Sequence, residues 1–421
     1  LLVLLIVSVL IIVLLTAKLN VHPFLALLTA SIFFGITSGM PLPLLITSIE
    51  EGFGGTLGKI GLVILLGVLI GAFLEQTGAA YKMAELVLRI IGKKNVHAAM
   101  GILGYIVSIP VFADSGFIIL NPLNKSLSKK AKLSIAGTSI ALILGLMLTH
   151  VMVPPTPGHI AAAGILEADI GLVMILGIVV SALSLIVAII YAKRVAGKIY
   201  IDPNPELTDE DIIEKIKTAP STFKSFLPIV VPILLIITKS LVLFFTPDAV
   251  EVSFLITLIS FVGSPLIALI IGVLLAFTLP KKFDVAMLSE AGWTGKALQS
   301  ASTILLITGA GGIFGKILQY SGIGDAMAHM FEGITIGIWL PFLLSAAIKT
   351  AQGSSTVALI TTASIMAPLM ISMGFDSEIL KAIVVIAICA GGLVVPHATD
   401  SSFCGVTQLK GMNGQTGYMH Y

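Results

Sequence analysis

The apolar positions of this chain fall in long unbroken runs rather than in stripes. Segments 1–15 and 171–191 are hydrophobic on every side, the pattern of a helix surrounded by lipid or protein and not of one with a solvent face. Runs of about 20 apolar residues predict helices near 1–17, 22–40, 57–77, 170–191, 225–245, 252–279 and 297–319. Two amphipathic pieces, 79–92 with Lys82, Glu85 and Arg89, and 322–333, stand among them. Polar residues cut the other apolar runs at ADSG from Ala113, PPTPG from Pro154, AQGSST from Ala351 and VPHATDSS from Val395.

The first cut sits in an apolar segment whose two limbs are each too short to cross a bilayer. The simplest geometry is a re-entrant hairpin over about 97–124 that turns between Pro110 and Gly116. A second hairpin is predicted over about 335–370, with its tip at AQGSST. Non-helical backbone at membrane depth persists only where protein or a water-filled cavity satisfies its polar groups, so each tip is a candidate site. Prolines break the other two runs at about 153–158 and 396–402, removing donors and freeing carbonyls.

Three anchors recur in the same order at a nearly constant offset. GAFLEQTG from Gly71 matches GKILQYSG from Gly315, the tip at Ala113 matches the tip at Gly353, and PPTPG from Pro154 matches PHATD from Pro396. An internal repeat follows. The expected organisation is a first repeat over 1–192, a cytoplasmic linker over 193–224 marked by ELTDEDIIE and three prolines, and a second repeat over 225–421. Helix alternation that places the base of the first hairpin (Lys125, Lys129, Lys130, Lys132) in the cytoplasm puts most of the 24 lysines and arginines there too. It also makes the first hairpin enter from the cytoplasm and the second from outside. The fold class is therefore an all-α polytopic membrane protein with two inverted-topology repeats, each carrying a re-entrant hairpin and a broken helix. The segment 1–15 reads as a spanning helix rather than a cleaved signal, and both ends read as incomplete, with a further helix expected after Tyr421.

Composition agrees: 57% of residues are hydrophobic and 11% charged, against roughly 25% charged in a soluble domain. The net charge of +2 carries little information about partners, and no nucleic-acid partner is expected. Cys389 and Cys404 give neither a disulfide framework nor metal spacing and read as packing residues. GAGGIFG from Gly309 lies inside a predicted span with no strand before it, so it is not a nucleotide site. Gly67 with Gly71, and Gly311 with Gly315, have the small-residue spacing of helix packing. No cofactor and no metal site are expected.

An acid at the bilayer centre costs at least ~2.5–3.5 kcal/mol, so Asp114 needs a compensating role. It is a candidate proton carrier or, alternatively, the cap of a helix beginning at Ser115 or Gly116. In the second tip, Lys349, Gln352, Ser354, Ser355 and Thr356 stand together. Lys349 is the candidate for neutralising an anionic solute, unless it snorkels to the outer surface. The hydroxyls and a half-helix N-terminus offer hydrogen bonds to a carboxylate. Ser115, Gly116, Thr156, Thr399 and Ser401 complete the substrate-binding candidates, and His397 and Asp400 join Asp114 as coupling candidates. Glu75 lies near a helix end and reads as interfacial.

At these motifs the chain resembles the gluconate permease family of the ion-transporter superfamily. KLNVHPFLALLTASIFFGITSGMPL from Lys18, GFGGTLGKIGLVILLGVLIGAFLEQTGAA from Gly52 and AQGSSTVALITTASIMAPL from Ala351 carry the likeness, which runs over essentially the whole chain. The resemblance implies a proton-coupled symporter of a small hydroxy-carboxylate in the bacterial cytoplasmic membrane, homodimeric and moving in an elevator-like way. Its partners would be a small organic anion, gluconate or a related sugar acid, and the lipid bilayer. The chain departs from the family pattern at each site stretch: Asp114-Ser115-Gly116 where an acid followed by Val-Gly is common, Thr156 for a histidine, Lys349 for an arginine, and the sequence from His397 to Ser402. The resemblance therefore implies a class of solute and not which acid. Sodium coupling is the alternative, because hydroxyl-rich tips and freed carbonyls also build sodium sites. An intramembrane hydrolase using Ser115, a histidine and Asp400, or a channel, are the competing classes.

Overall fold

The computed structural model describes residues 1–92, 95–203, 209–245, 254–323, 337–352 and 354–394. Every regular element among them is helical, as expected of a chain that must satisfy its backbone without water. In order these are α1 (Leu2–Val13), α2 (Pro23–Thr37), α3 (Leu42–Gln76), α4 (Ala79–Ile91), α5 (Val96–Val107), α6 (Ala113–Lys130), α7 (Ile135–Met152), α8 (Pro157–Ile165) and α9 (Ile170–Arg194). The remainder are α10 (Asp209–Thr218), α11 (Thr222–Phe245), α12 (Phe254–Val262), α13 (Pro265–Ala276), α14 (Trp293–Tyr320), α15 (Trp339–Gln352), α16 (Ser355–Met366) and α17 (Glu378–Gly391). The polytopic character is plain in α9, whose 25 residues reach about 38 Å at 1.5 Å per residue, enough to cross about 30 Å of hydrocarbon.

Helices α5 and α6 are the limbs of the first hairpin, and α15 and α16 those of the second. The first proline break leaves Val153–Thr156 outside helix between α7 and α8. The break expected at 396–402 lies outside the described residues.

Several expectations shift. Helix α3 begins at Leu42, well before residue 57, and carries Gly52, Gly54, Gly55 and Gly58 inside it, the first packed against Gly312 and Ile313 and the other three exposed. The run 252–279 is two helices bent by 62° at Gly263-Ser264-Pro265, where proline starts the second and donates nothing to the first. Residues 209–218 of the linker are helical, and its beginning is tied down. Ser134 Oγ donates to the Ile199 carbonyl, Ile201 N donates to Ser134 Oγ at 3.0 Å, and Lys129 pairs with Asp202 at 3.0 Å.

The chain forms two compact units, each drawing on both sequence halves. Of the described residues, one takes Leu1–Leu65, Pro157–Leu176 and those from Gln299 onward; the other takes those of Leu66–Thr156 and Gly177–Leu298. These are the outer-sequence unit and the inner-sequence unit, after the parts of the chain they take.

In the inner-sequence unit α5 packs on α7 so closely that Gly104 leaves no room for a Cβ beside Leu142 and Leu146. The return limb α6 is held to α7 by buried polar pairs, Asn124 Nδ2 to Ser139 Oγ at 2.9 Å and Ser128 Oγ with Thr138 Oγ1 at 2.7 Å. Phe73 is fully buried against Phe277 and Trp293. Amphipathic α4 buries Ala80, Met83, Ala84 and Val87 while Lys82 and Glu85 pair at 2.6 Å. In the outer-sequence unit α15 packs on α17 and α16 on α8, with Cys389 buried in α17 as a packing residue.

Candidate functional site

The described candidate residues form two clusters, one in each unit. In the inner-sequence unit the organising element is the end of α3. A Cβ at Gly71 would collide with the carbonyl oxygen of Pro110 in the first tip, and one at Gly67 would lie 2.7 Å from that of Pro155 in the first break. Only glycine lets tip and break approach the same helix face this closely. One turn beyond Gly71, the half-buried Glu75 accepts a hydrogen bond from the Ser115 hydroxyl. The sequence reading of Glu75 as interfacial is thereby replaced: the side chain is part of the tip. The helical signal was the one-turn spacing from Gly71 to Glu75.

The tip itself turns earlier than expected. Helix α6 already begins at Ala113, with Phe112 as its N-cap and no side-chain cap bond. Asp114 is therefore inside the first turn and does not cap a helix starting at Ser115. Its carboxylate is exposed and lies at the positive end of the α6 dipole. Gly116 is buried, and a Cβ there would be 2.7 Å from a methyl of Leu146. Thr156 is buried and donates to the His150 carbonyl at 2.6 Å, so its hydroxyl closes the break. The His150 ring lies 5.7 Å from that of Phe112. The Ser115 hydroxyl is directed to a carboxylate and not to a histidine, which is not the pairing of an activated nucleophile.

In the outer-sequence unit the second tip meets α8. Gly158, the second residue of α8, lies against Thr356, the second residue of α16: a Cβ at Gly158 would be 3.5 Å from Thr356 Cα. Two helix N-termini, each with unsatisfied backbone N–H groups and a partial positive charge, thus lie side by side. Ser354 caps α16 by accepting from Val357 N at 3.4 Å, and Ser355 Oγ donates to the Gly392 carbonyl at 2.9 Å. Lys349, one turn before the tip, is only 2% exposed, so it does not snorkel to a surface. A buried ammonium of this kind is stable only with negative charge or acceptors supplied to it. Farther along α16, the fully buried hydroxyls of Thr361 and Thr362 have no hydrogen-bond partner among the described residues. Sequence reasoning passed over this pair, which falls within an apparently ordinary apolar run.

The Gln352 side chain, and all of His397, Thr399, Asp400 and Ser401, lie outside the described residues. Among the described residues no group of His, Cys, Asp and Glu has the arrangement to hold a metal ion.

The model of the family described as GntP family permease matches residues 1–421 of this chain. Among curated relatives, the gluconate permease of Pseudomonas aeruginosa is 32% identical over 95% of this chain and 89% of its own length. The D-serine transporter DsdX of Escherichia coli is 34% identical over 99% and 93%. The inner membrane permease YgbN of Escherichia coli is 33% identical over 96% and 91%. Among solved structures, the YdaH transporter of Alcanivorax borkumensis, described as having an unusual topology, matches with a TM-score of 0.56 over 90% of this chain and 84% of that one, at 14% identity. That last likeness concerns the fold.

Proposed function

The chain belongs to the GntP family of permeases, and is thus a multi-pass transporter of the bacterial cytoplasmic membrane and not an enzyme; from that premise we propose that it is a proton-coupled symporter of a small hydroxy-carboxylate. The observation that carries the solute class is the pair of adjoining N-termini of α8 and α16, with Lys349 buried in the last turn of α15, the helix that leads into the tip. Helix N-termini of broken spans are suited to a substrate carboxylate. Lys349 supplies the countercharge, and the Thr361 and Thr362 hydroxyls are available to the hydroxyl groups of the solute. The gluconate and D-serine named for the relatives each carry a carboxylate beside a hydroxyl-bearing carbon chain, which fits that donor set.

The proton belongs, in this reading, to the first tip. Glu75 and Asp114 flank Ser115 there, and a carboxyl that must exchange its hydrogen-bond partner as the tip moves is suited to bind and release a proton. Homodimeric assembly and an elevator-like displacement are parts of the same proposal. Uptake into proteoliposomes under an imposed pH gradient tests it, with glycerate, lactate and gluconate as solutes. Accumulation that follows the pH gradient is the expected result. Accumulation driven by sodium and indifferent to pH would instead establish sodium coupling, the reading favoured by freed carbonyls at the break.

A further inference from the structure

Lysines are scarce away from the cytoplasmic side of this chain: Lys59, Lys239, Lys316, Lys349 and Lys381 are those that the charge-based orientation leaves elsewhere. Three of them converge. Lys59, Lys316 and Lys381 line one cavity of about 720 Å³, together with Glu51, Glu167 and Asp376, and all of these residues belong to the outer-sequence unit. A volume of this size is within the range of small-molecule sites, roughly 300–1,000 Å³. The same orientation puts Glu50 and Glu51, in the first part of α3, and the Glu167–Asp169 connection toward the outer face, so the cavity opens there.

The three lysines are not equally committed. Lys59 forms a close pair with Glu167 at 2.5 Å, and Lys381 pairs with Glu378 at 2.9 Å. Glu167 reports their combined field: the hydrogen bond and charge of Lys59, and then the charges of Lys381 and Lys316, hold its carboxyl below the usual range against the opposing effect of burial. Lys316 is held more loosely. Its ammonium stands 3.6 Å from Glu51, beyond hydrogen-bond distance, and 4.6 Å from the centre of the Tyr320 ring, while Glu51 already accepts from the Tyr320 hydroxyl at 3.0 Å. Glu51 thus keeps a partner when Lys316 turns away. Gly312 and Gly315 beside Lys316 present no side chain to the cavity, and Gln319 and Thr56 add neutral polar groups.

We propose that this cavity is an outer reception site for a small hydroxy-carboxylate, and that Lys316 leaves Glu51 to bind the carboxylate. The site is separate from the α8–α16 cluster, and calling its ligand the transported solute rests on the function proposed above. The carboxylate replaces Glu51 on the Lys316 ammonium at hydrogen-bond distance, and Glu51 remains on Tyr320. Acids of the cavity keep its overall charge near balance, so an anion is received without being trapped, as a site on a transport path requires.

Solute protection of an engineered thiol tests this in whole cells. In a background with Cys389 and Cys404 replaced by serine, Gln319→Cys places a thiol on the cavity wall for a membrane-impermeant thiol reagent. Glycerate, lactate and gluconate serve as probes. At least one is expected to slow labelling in a saturable way, and adding Lys316→Met is expected to raise its half-protecting concentration by about tenfold or more, the loss of a charged hydrogen bond. Equal protection with and without Lys316 overturns the assignment of Lys316. Protection by none of the three overturns the reception site. Lys349→Met keeps the two readings apart: intact protection with lost transport is expected, whereas intact protection with unchanged transport would overturn the second-tip reading and leave the reception site standing.

Discussion

The two hairpins are built alike and equipped oppositely. Each has a long helix with glycines one turn apart behind it, Gly67 and Gly71 in α3 and Gly311 and Gly315 in α14. Yet the first tip carries Asp114 and gathers Glu75, whereas the second carries buried Lys349 and a run of hydroxyls. The scaffold repeats and the chemistry does not. Under the function proposed above this is a division of labour, with carboxyls to exchange a proton at one tip and a cation with helix N-termini to hold an anion at the other. Even the glycines differ in tightness. At Gly71 a Cβ meets backbone carbonyl that cannot yield without moving the tip, while at Gly315 the nearest atom is Ser364 Cα at 3.4 Å.

The largest expected effect breaks the comparison at those glycines. Gly71→Ala should abolish transport and destabilise the protein by about 1–3 kcal/mol through overpacking, whereas Gly315→Ala should retain most activity; thermal unfolding and uptake measured on both variants check this. Equal effects would mean that the two tips are packed alike. Next comes Glu75→Gln, expected to reduce pH-gradient-driven accumulation by roughly tenfold or more while solute exchange across proteoliposomes at equal pH persists, since general proton-transfer roles contribute at least ~100-fold when lost outright. Asp114→Asn, measured beside it, divides the proton role between the two acids. If Glu75→Gln still accumulates solute as the parent does, Asp114 alone carries the tip.

Smaller effects sharpen the anion side. Replacing Thr361 or Thr362 by valine should weaken solute binding by a few-fold, about 0.5–1.5 kcal/mol for each lost hydrogen bond, with no loss of stability, because neither hydroxyl has a hydrogen-bond partner among the described residues. A clear drop in melting temperature without a change in affinity would make them structural. The smallest effect belongs to the Lys59–Glu167 pair, whose side chains are 60% and 67% exposed, so it is worth well under about 1 kcal/mol. Its sign is nonetheless fixed. The Glu167 carboxyl is depressed by Lys59, so its contribution is present above the ordinary glutamate range and fades as pH falls through its lowered value in the folded protein. The small melting-temperature gap between the parent and Glu167→Gln should therefore close on acidification.

Much of this was legible in the chain because the physical constraint was local. Apolar runs too long for a soluble protein give the spans, and a lysine and hydroxyls inside an apolar run give the second tip. Prolines locate the first break in the same way. What escaped depends on where separate segments meet. Glu75 reads as a helix-end acid until the first tip is folded against Gly71, and Thr361 and Thr362 read as helix filler until their burial is known. The beginning of α3 at Leu42 was hidden by its glycines, poor helix formers that nonetheless lie inside the helix. The convergence of Lys59, Lys316 and Lys381 joins positions far apart in sequence, and no local pattern announces it.

The central claim is that the second tip holds the carboxylate, and Lys349→Met tests it most directly. Equilibrium binding of glycerate, lactate and gluconate to the purified protein in detergent should find at least one ligand for the parent, and that affinity should fall by about 100-fold, the ~3 kcal/mol of a charge-assisted hydrogen bond. Lys349→Arg should recover part of it. An affinity unchanged in Lys349→Met would contradict the account, and would leave the buried lysine as a structural cation.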